Sequence, residues 1–251
     1  MFKKLLIILV CLSIASPCFG FNSSWWGRTL QRNNLVNRVM AVTGGPGSLT
    51  FFKDYTHGGS LDADYSVGSP TATFTNTSNN TPVFSNGISI TTARTDVLKY
   101  AISGNRTAAQ ETIIIKFTPD SNFANDGVGR KITSCNTLTR MLDKSTTGTV
   151  VRFDENGSRI AASTTNIMLN TSYVVTGVLK QAGNHNKEIF INGTSEGSED
   201  TDFTDTLGNY FYLGTDTGGG ATLNGLIQKV AIFNRALSES EVQSVTNILN
   251  S

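Results

Sequence analysis

The chain has few residues that build disulfides or zinc sites. Its 251 residues include three cysteines and two histidines. Cys11 and Cys18 fall within a predicted N-terminal leader, so Cys135 is the one thiol expected in the mature protein and an intrachain disulfide is excluded. His57 and His185 lie in separate segments without a CxxC or HExxH companion, which argues against zinc and predicts solvent-exposed loop histidines. The core and the backbone hydrogen bonds must therefore hold the fold.

Charged residues are also sparse, at 16% of the chain, and they are nearly balanced in sign. Loss of Lys3 and Lys4 with the leader would leave 18 basic residues against 19 acidic ones and change the formal charge from +1 to −1. Such a chain lacks the cationic excess that attracts nucleic acid, so a nucleic-acid-binding function is disfavoured.

The N-terminal apolar run is too short to cross a bilayer, which takes about 20 residues. It extends from Leu5 to Ala15 after Lys3 and Lys4, and small residues follow at Cys18-Phe-Gly20. This order predicts a signal peptide over residues 1–20. We expect a protein that is secreted or exposed at the cell surface, without a stable membrane anchor.

Residues 21–47 differ in pattern from the rest and are interpreted as an N-terminal arm. Trp25 and Trp26 lead into a segment with scattered apolar residues, which ends at Gly44-Gly-Pro-Gly47. One interpretation is that the arm docks on a partner, with Trp25 and Trp26 as assembly residues in self-assembly. The other is that it packs on its own domain, as N-terminal segments often do.

Short β-rich runs separated by turn residues dominate residues 48–251. Eleven such runs predict an all-β protein, a two-sheet sandwich or barrel. Ile113, Ile115 and Phe117 share one face by the period of two and are predicted core residues. Ile227 is out of phase with Val230, which predicts a β-bulge between them.

The C-terminus carries a helix signature. Ser238 and Glu241 form an S-x-x-E capping box, flanked by Leu237 and Val242 at the positions of a hydrophobic staple. Apolar residues then recur at spacings of three and four, so one face of a short helix should lie on the core. Those residues are Val242, Val245, Ile248 and Leu249.

The residues before this helix match a longer pattern. After Ile189-Phe-Ile-Asn-Gly193 and Tyr210-Phe-Tyr-Leu-Gly214, the chain reads G-x-I-x-x-V-x-I-F-N-R-x-L-S-x-x-E-V from Gly225 to Val242. This ending resembles the laminin-G-like, concanavalin A-type jelly rolls. The resemblance implies a two-sheet antiparallel jelly-roll sandwich over residues 48–251, in a family that binds glycans or proteins more often than it catalyses reactions.

The sequence does not support either of two catalytic patterns. Gly193-Thr-Ser195-Glu-Gly197 matches the G-x-S-x-G string, but a nucleophile elbow needs a following helix and a later histidine, and no histidine follows His185. The simpler interpretation is that this segment forms a β-hairpin loop. The E-x-D-x-x-E pair of jelly-roll glucanases is absent, so a retaining acid and nucleophile cannot be assigned. We expect no enzyme activity.

The resemblance also implies that a structural calcium ion at the sandwich rim is the one cofactor worth weighing. Calcium prefers oxygen ligands on loops. One candidate loop contains Asp120, Asn122 and Asp126, and the other contains Asp200 and Asp202. Neither loop matches a defined motif, and acidic loops are commonly just solvated.

A ligand site is predicted near the glycine-rich segment 214–225. Asp216 and Asn224 could hydrogen-bond a sugar, and the nearby Tyr210 and Tyr212 could stack on it. The simpler interpretation is that strand alternation places one tyrosine in the core and the other on the surface.

Three functions remain open. The first is a secreted, non-catalytic binding or adhesion module whose partner is a glycan or an extracellular protein. The second is a structural subunit of a filament or particle that assembles through residues 21–47. The third is an atypical glycosidase or lyase.

Overall fold

A computed structural model describes residues 34–57, 60–61, 63–67, 72–75, 83–91, 97–102, 110–120, 123, 129–135, 141–155, 159–180, 187–200, 210–217 and 221–251. The predicted signal peptide and the predicted assembly residues Trp25 and Trp26 lie outside these ranges. Within them, neither helix combines the length and the apolar character that a bilayer span requires.

The described chain contains fifteen strands between two helices. Helix α1 covers residues 34–42, and helix α2 covers Glu239–Asn250. The strands are β1 (Leu49–Asp54), β2 (Tyr65–Ser66), β3 (Ala72–Thr75), β4 (Ile88–Ile90), β5 (Val97–Ala101), β6 (Glu111–Pro119), β7 (Arg130–Cys135), β8 (Met141–Lys144), β9 (Val150–Glu155), β10 (Arg159–Asn166), β11 (Tyr173–Leu179), β12 (Lys187–Ile191), β13 (Thr194–Glu199), β14 (Tyr210–Leu213) and β15 (Gly225–Phe233).

The strands form two antiparallel sheets. Sheet A has the order β13-β12-β11-β6-β15-β1-β2, with β4 paired to the first residues of β15. Sheet B has the order β10-β9-β8-β7-β14-β5-β3. The predicted all-β, two-sheet antiparallel jelly-roll sandwich with a short C-terminal helix is therefore confirmed. The predicted bulge is also present, because the register of β15 on β6 shifts between Ile227 and Lys229.

The core between the sheets follows from strand alternation. Ile113, Ile115 and Phe117 of β6 are fully buried and face side chains of sheet B such as Phe153 and Phe211. Branched and aromatic side chains fit this half-buried pleated surface, and burial removes their apolar area from water.

A second apolar layer covers the other face of sheet A. Val39 of α1 and Val245 of α2 are completely buried in one cluster with Phe52, Ile114 and Phe233 of the sheet. The arm residues from Leu35 onward belong to the same compact unit as the strands, so this part of the arm packs on its own domain.

Helix α2 is held at both ends. The Ser238 hydroxyl accepts the Glu241 N–H, and the Glu241 carboxylate accepts the Ser238 N–H at 2.8 Å, as the capping box predicts. At the other end the Nζ atoms of Lys116 and Lys229 donate to the Leu249 carbonyl at 3.1 and 2.9 Å. These strand lysines supply the positive charge that a helix C-terminus favours and that the last turn of α2 lacks. Burial lowers the pKa of both lysines.

The edge strands β10 and β13 close one side of the sandwich. The Glu196 carboxylate accepts the backbone N–H groups of Thr164 and Thr165 at 2.9 and 2.8 Å. Ser195 lies in β13 itself, after a turn at Asn192 and Gly193 with φ of 51° and 85°. The predicted hairpin loop after this turn is therefore a strand, and no helix follows Ser195 as a nucleophile elbow would require.

A substitution at Gly197 tests this closed edge. A Cβ atom there would overlap the carbonyl oxygen of Ala162, which is backbone and cannot rotate away. We expect Gly197→Ala to lower the free energy of unfolding by about 2 kcal/mol, a typical cost of overpacking. Urea denaturation measures it. Gly47→Ala is the matched control, because a Cβ at Gly47 meets nothing within 4 Å, and equal stability of the two variants would contradict the close contact.

The cap of α2 should make stability depend on pH. Hydrogen bonds from Arg235 hold the pKa of Glu241 at about 2, below its ordinary value of 4.5. A lowered folded-state pKa contributes stability above pH 4.5 that is lost as the pH falls towards 2. We expect Glu241→Gln to be less stable than the wild type at pH 6, with the difference shrinking between pH 4.5 and 2 in urea titrations. A difference that stays constant over this interval would exclude the assigned role of Glu241.

Candidate functional site

The two sheets differ in how their outer faces are covered. Sheet A has the core on one face and both described helices on the other. Sheet B has the core on one face, and no helix of the described residues packs on its outer face. The outer face of sheet B is therefore the sheet face that the described helices leave uncovered.

Two tyrosines stand side by side on this face. In β14 the side chains of Phe211 and Leu213 enter the core, so Tyr210 and Tyr212 both point outward. Their ring centroids are 6.4 Å apart, with the planes inclined by 62°. The prediction that one tyrosine is core and the other surface was wrong, because residues two apart in a strand share a face.

The two tyrosines differ in exposure. Tyr210 is half-buried, and Tyr212 is buried. Burial, the neighbouring Tyr210 and Cys135 raise the pKa of Tyr212, so its hydroxyl stays protonated at neutral pH. Lys99 of the adjacent strand β5 places its Nζ 4.7 Å from the centroid of the Tyr210 ring, a cation–π distance.

A network of charged side chains continues the face across β7, β8 and β9. Lys131, Asp143 and Arg152 are direct cross-strand neighbours. Asp143 accepts from Lys131 Nζ at 2.6 Å and from Nε and Nη2 of Arg152 at 2.9 Å each. Arg152 Nη2 also lies 3.5 Å from Asp154. The bidentate Arg152–Asp143 pair fixes the position of the guanidinium group.

The remaining predicted ligand residues lie away from the tyrosines. Asp216 is half-buried in the segment that follows β14. Asn224 is buried, with a φ of 53°, and its carbonyl accepts the Asp120 N–H at 2.9 Å. The structure thus places Asn224 beside Asp120, a residue that the sequence had suggested for calcium, and keeps Tyr210 and Tyr212 together on the sheet.

The two described residues of the predicted calcium loops, Asp120 and Asp200, lie at opposite ends of sheet A. Asp120 follows the last residue of β6, whereas Asp200 follows β13, whose end aligns through β12 and β11 with the first residue of β6. Asn122, Asp126 and Asp202 lie outside the described residues. No group of three His, Cys, Asp or Glu side chains suited to a metal occurs in the described part of the chain. Calcium binding stays a prediction.

One histidine differs from the sequence expectation. His57 was expected to be solvent-exposed, but its side chain is 29% exposed, and its Nδ1 lies 3.2 Å from Oδ2 of the buried Asp54. Thr56 donates its backbone N–H and its hydroxyl to Oδ1 of the same carboxylate. Asp54 therefore orients the turn after β1. His185 lies outside the described residues.

The sequence interpretation missed the charged half of the face. Lys99, Lys131, Asp143, Arg152 and Asp154 were not singled out. A signal existed in β9, where Arg152 and Asp154 alternate with Val151 and Phe153, which predicts a strand with one polar face. Their pairing with Asp143 and Lys131 depends on the strand order of sheet B.

A family profile matches the chain in sequence. It is that of Laminin_G_3, of the concanavalin A-like lectin/glucanases superfamily, and it matches residues 95–243. No curated protein sequence matches the chain significantly.

Solved structures share the fold at low sequence identity. The receptor-binding domain of botulinum neurotoxin mosaic serotype C/D, with tetraethylene glycol on its Hcn sub-domain, is 14% identical with a TM-score of 0.60, covering 80% of this chain and 51% of that one. A structure of botulinum neurotoxin type C, whose cell entry depends on interaction with two ganglioside molecules, is also similar. It is 14% identical with a TM-score of 0.57, covering 80% of this chain and 51% of that one.

A third similar structure is an enzyme. Trypanosoma rangeli sialidase in complex with sialic acid is 12% identical with a TM-score of 0.62, covering 87% of this chain and 38% of that one. At these identities the likeness shows the fold alone. The chain spans about half the length of the neurotoxin fragments and a smaller share of the sialidase.

The charge network yields a stability prediction. Asp143→Asn would leave Lys131 and Arg152 without their carboxylate in a partly buried site, and we expect a loss of about 2 kcal/mol in unfolding free energy. Urea denaturation measures this loss. Glu188→Gln is the matched control, since its pair with Lys180 is more exposed and should contribute less than about 1 kcal/mol. Equal losses in both variants would show that Asp143 has no special role.

Proposed function

Because the chain belongs to the laminin-G-like domains of the concanavalin A-like lectin/glucanase superfamily, whose profile matches more than half of its length, we propose that it binds carbohydrate on the outer face of sheet B. The role that we propose for the protein is that of a non-catalytic binding or adhesion module. The predicted signal peptide would bring this activity outside the cell, to a glycan of a surface or of the extracellular medium.

One observation carries the proposal. The core and the described helices cover the two faces of sheet A, whereas the outer face of sheet B carries the half-buried Tyr210 beside the buried Tyr212, together with hydrogen-bond donors of neighbouring strands. A tyrosine ring offers an apolar surface with a polar end, which suits a sugar with its C–H groups on one side and hydroxyls around the rim. A rigid sheet holds such groups at defined positions.

The similar structures support this choice of ligand class. The trypanosomal sialidase is in complex with sialic acid, and cell entry of botulinum neurotoxin type C depends on gangliosides. Both ligands contain sugars. These are properties of those proteins, and they make a glycan the first ligand class to test on this chain.

The carboxylates of the face favour binding over hydrolysis. Both oxygens of Asp143 accept hydrogen bonds from Lys131 or Arg152. A carboxylate held in this way is poorly placed to protonate a leaving group or to attack an anomeric carbon, the two roles that glycoside hydrolysis needs. We therefore propose that a bound glycan is not cleaved.

The assembly alternative receives no specific support from the described residues. Leu35, Val36 and Val39 of the arm are buried against sheet A. Assembly through the arm could use its exposed residues, such as Arg38 and Val42, or residues 21–33, which include Trp25 and Trp26 and lie outside the described ranges.

A glycan array tests the proposal. We expect the full-length protein to bind a subset of glycans, and Tyr210→Ala to weaken binding at least about tenfold, equivalent to 1.4 kcal/mol. Tyr65→Ala is the matched control, a half-buried tyrosine of sheet A. Thermal melts confirm that both variants fold. Absence of binding to every glycan, or equal loss in both variants, would refute the proposed site, and repeating the array with EDTA tests the calcium prediction.

A further inference from the structure

The charges on the outer face of sheet B are arranged in depth. The side chains of Asp143 and Asp154 are 0% and 2% exposed, whereas those of Lys131 and Arg152 are 16% and 19% exposed. The carboxylates therefore lie beneath the cations. A molecule that approaches this part of the face meets ammonium and guanidinium groups before it meets a carboxylate.

The cations keep donors that the protein does not use. Arg152 binds Asp143 through Nε and Nη2, and within the described part of the chain its Nη1 has no hydrogen-bond partner. Lys131 donates one of its three ammonium N–H groups to Asp143. Lys99 contacts the Tyr210 ring and makes no ion pair with any described residue. These donors remain for an anionic ligand.

The buried carboxylate also prepares the cations for binding. Asp143 holds Arg152 in a bidentate geometry, so little side-chain entropy remains to be lost when a ligand binds. The carboxylates lie deeper than the cations, so an anionic ligand on the face would be closer to the attracting charges than to the repelling ones. The arrangement thus favours a negatively charged partner, although the described ionisable groups nearly balance.

The spacing of the cations indicates a ligand longer than one sugar. Lys99, Lys131 and Arg152 lie on β5, β7 and β9, which are alternate strands in the order of sheet B. The head groups of Lys131 and Arg152 both bind Oδ2 of Asp143, at 2.6 and 2.9 Å, so one anionic group can reach both. Lys99 lies on the other side of β14, and alternate strands are about 10 Å apart. A ligand that uses all three cations must therefore carry at least two anionic groups.

We propose that the glycan bound on this face is an acidic chain with carboxylate or sulfate groups on successive sugars. The proposal rests on the proposed glycan-binding function and names its ligand class. Lys131 and Arg152 bind anionic groups at one end of the face. Lys99 binds another beside Tyr210, whose ring contacts the intervening sugar.

Binding of three defined polysaccharides tests this ligand class. Heparin carries sulfate and carboxylate groups, polygalacturonate carries carboxylates alone, and dextran is neutral. We expect the full-length protein to bind at least one acidic polymer at least about tenfold more tightly than dextran. Raising the salt concentration from about 0.05 to 0.5 M should weaken acidic-polymer binding strongly, because salt ions screen the attraction between the lysine and arginine side chains and the polymer. Preference between heparin and polygalacturonate identifies the anionic group.

Lys99→Gln is the decisive variant, since it removes a half-buried cation that takes no part in the buried ion pairs. We expect it to weaken acidic-polymer binding about three- to tenfold, or roughly 1 kcal/mol, and to leave the melting temperature unchanged. Lys180→Gln is the matched control, a partly exposed lysine that directly follows β11 of sheet A. Arg152→Lys keeps the positive charge but loses the planar guanidinium group with its paired N–H donors. A weakened affinity for acidic polymers in this variant would indicate that the donor geometry of Arg152 contributes to binding.

The outcomes separate this inference from the proposed function. Tight binding to neutral glycans, insensitive to salt and to Lys99→Gln, would overturn the acidic ligand and leave glycan binding intact. Equal effects of Lys99→Gln and Lys180→Gln would show that binding depends on the net charge of the protein and not on this face. No binding to any polysaccharide would overturn both proposals.

Discussion

The apolar layer between the two helices and sheet A is the interaction on which the arrangement of the molecule depends. Side chains such as Phe52, Ile114 and Val245 are withdrawn from water there, and their burial drives α1 and α2 onto one side of the sandwich. The capping box of α2 and the two lysines at its C-terminus satisfy backbone groups at the two ends of this helix. The core and the two helices thereby pack on the two faces of sheet A.

Because both described helices pack on sheet A, the two faces of sheet B differ in their surroundings. Its inner face completes the core, and its outer face carries the tyrosine pair and the charge network. Lys131, Asp143 and Arg152 are held by cross-strand ion pairs, so their positions follow from the positions of their strands.

Local features could be predicted from the sequence because they depend on residues close together in the chain. The α2 cap needs only Ser238 and Glu241, and the β15 bulge shows in the phase of Ile227 against Val230. The laminin-G-like pattern is also contiguous. The tyrosine assignment failed for another reason, since the period of two already places Tyr210 and Tyr212 on one face.

The sequence by itself determined the fold class, the C-terminal helix and its cap, because periodicity and capping are short-range properties of the chain. Only the tertiary structure decided which sheet face the described helices cover and which side chains meet on the other. Lys131, Asp143 and Arg152 are separated along the chain and become neighbours through strand order. Likewise, Asn224 and Asp120 meet where β15 begins beside the end of β6. Such contacts follow from sheet topology, which no local pattern contains.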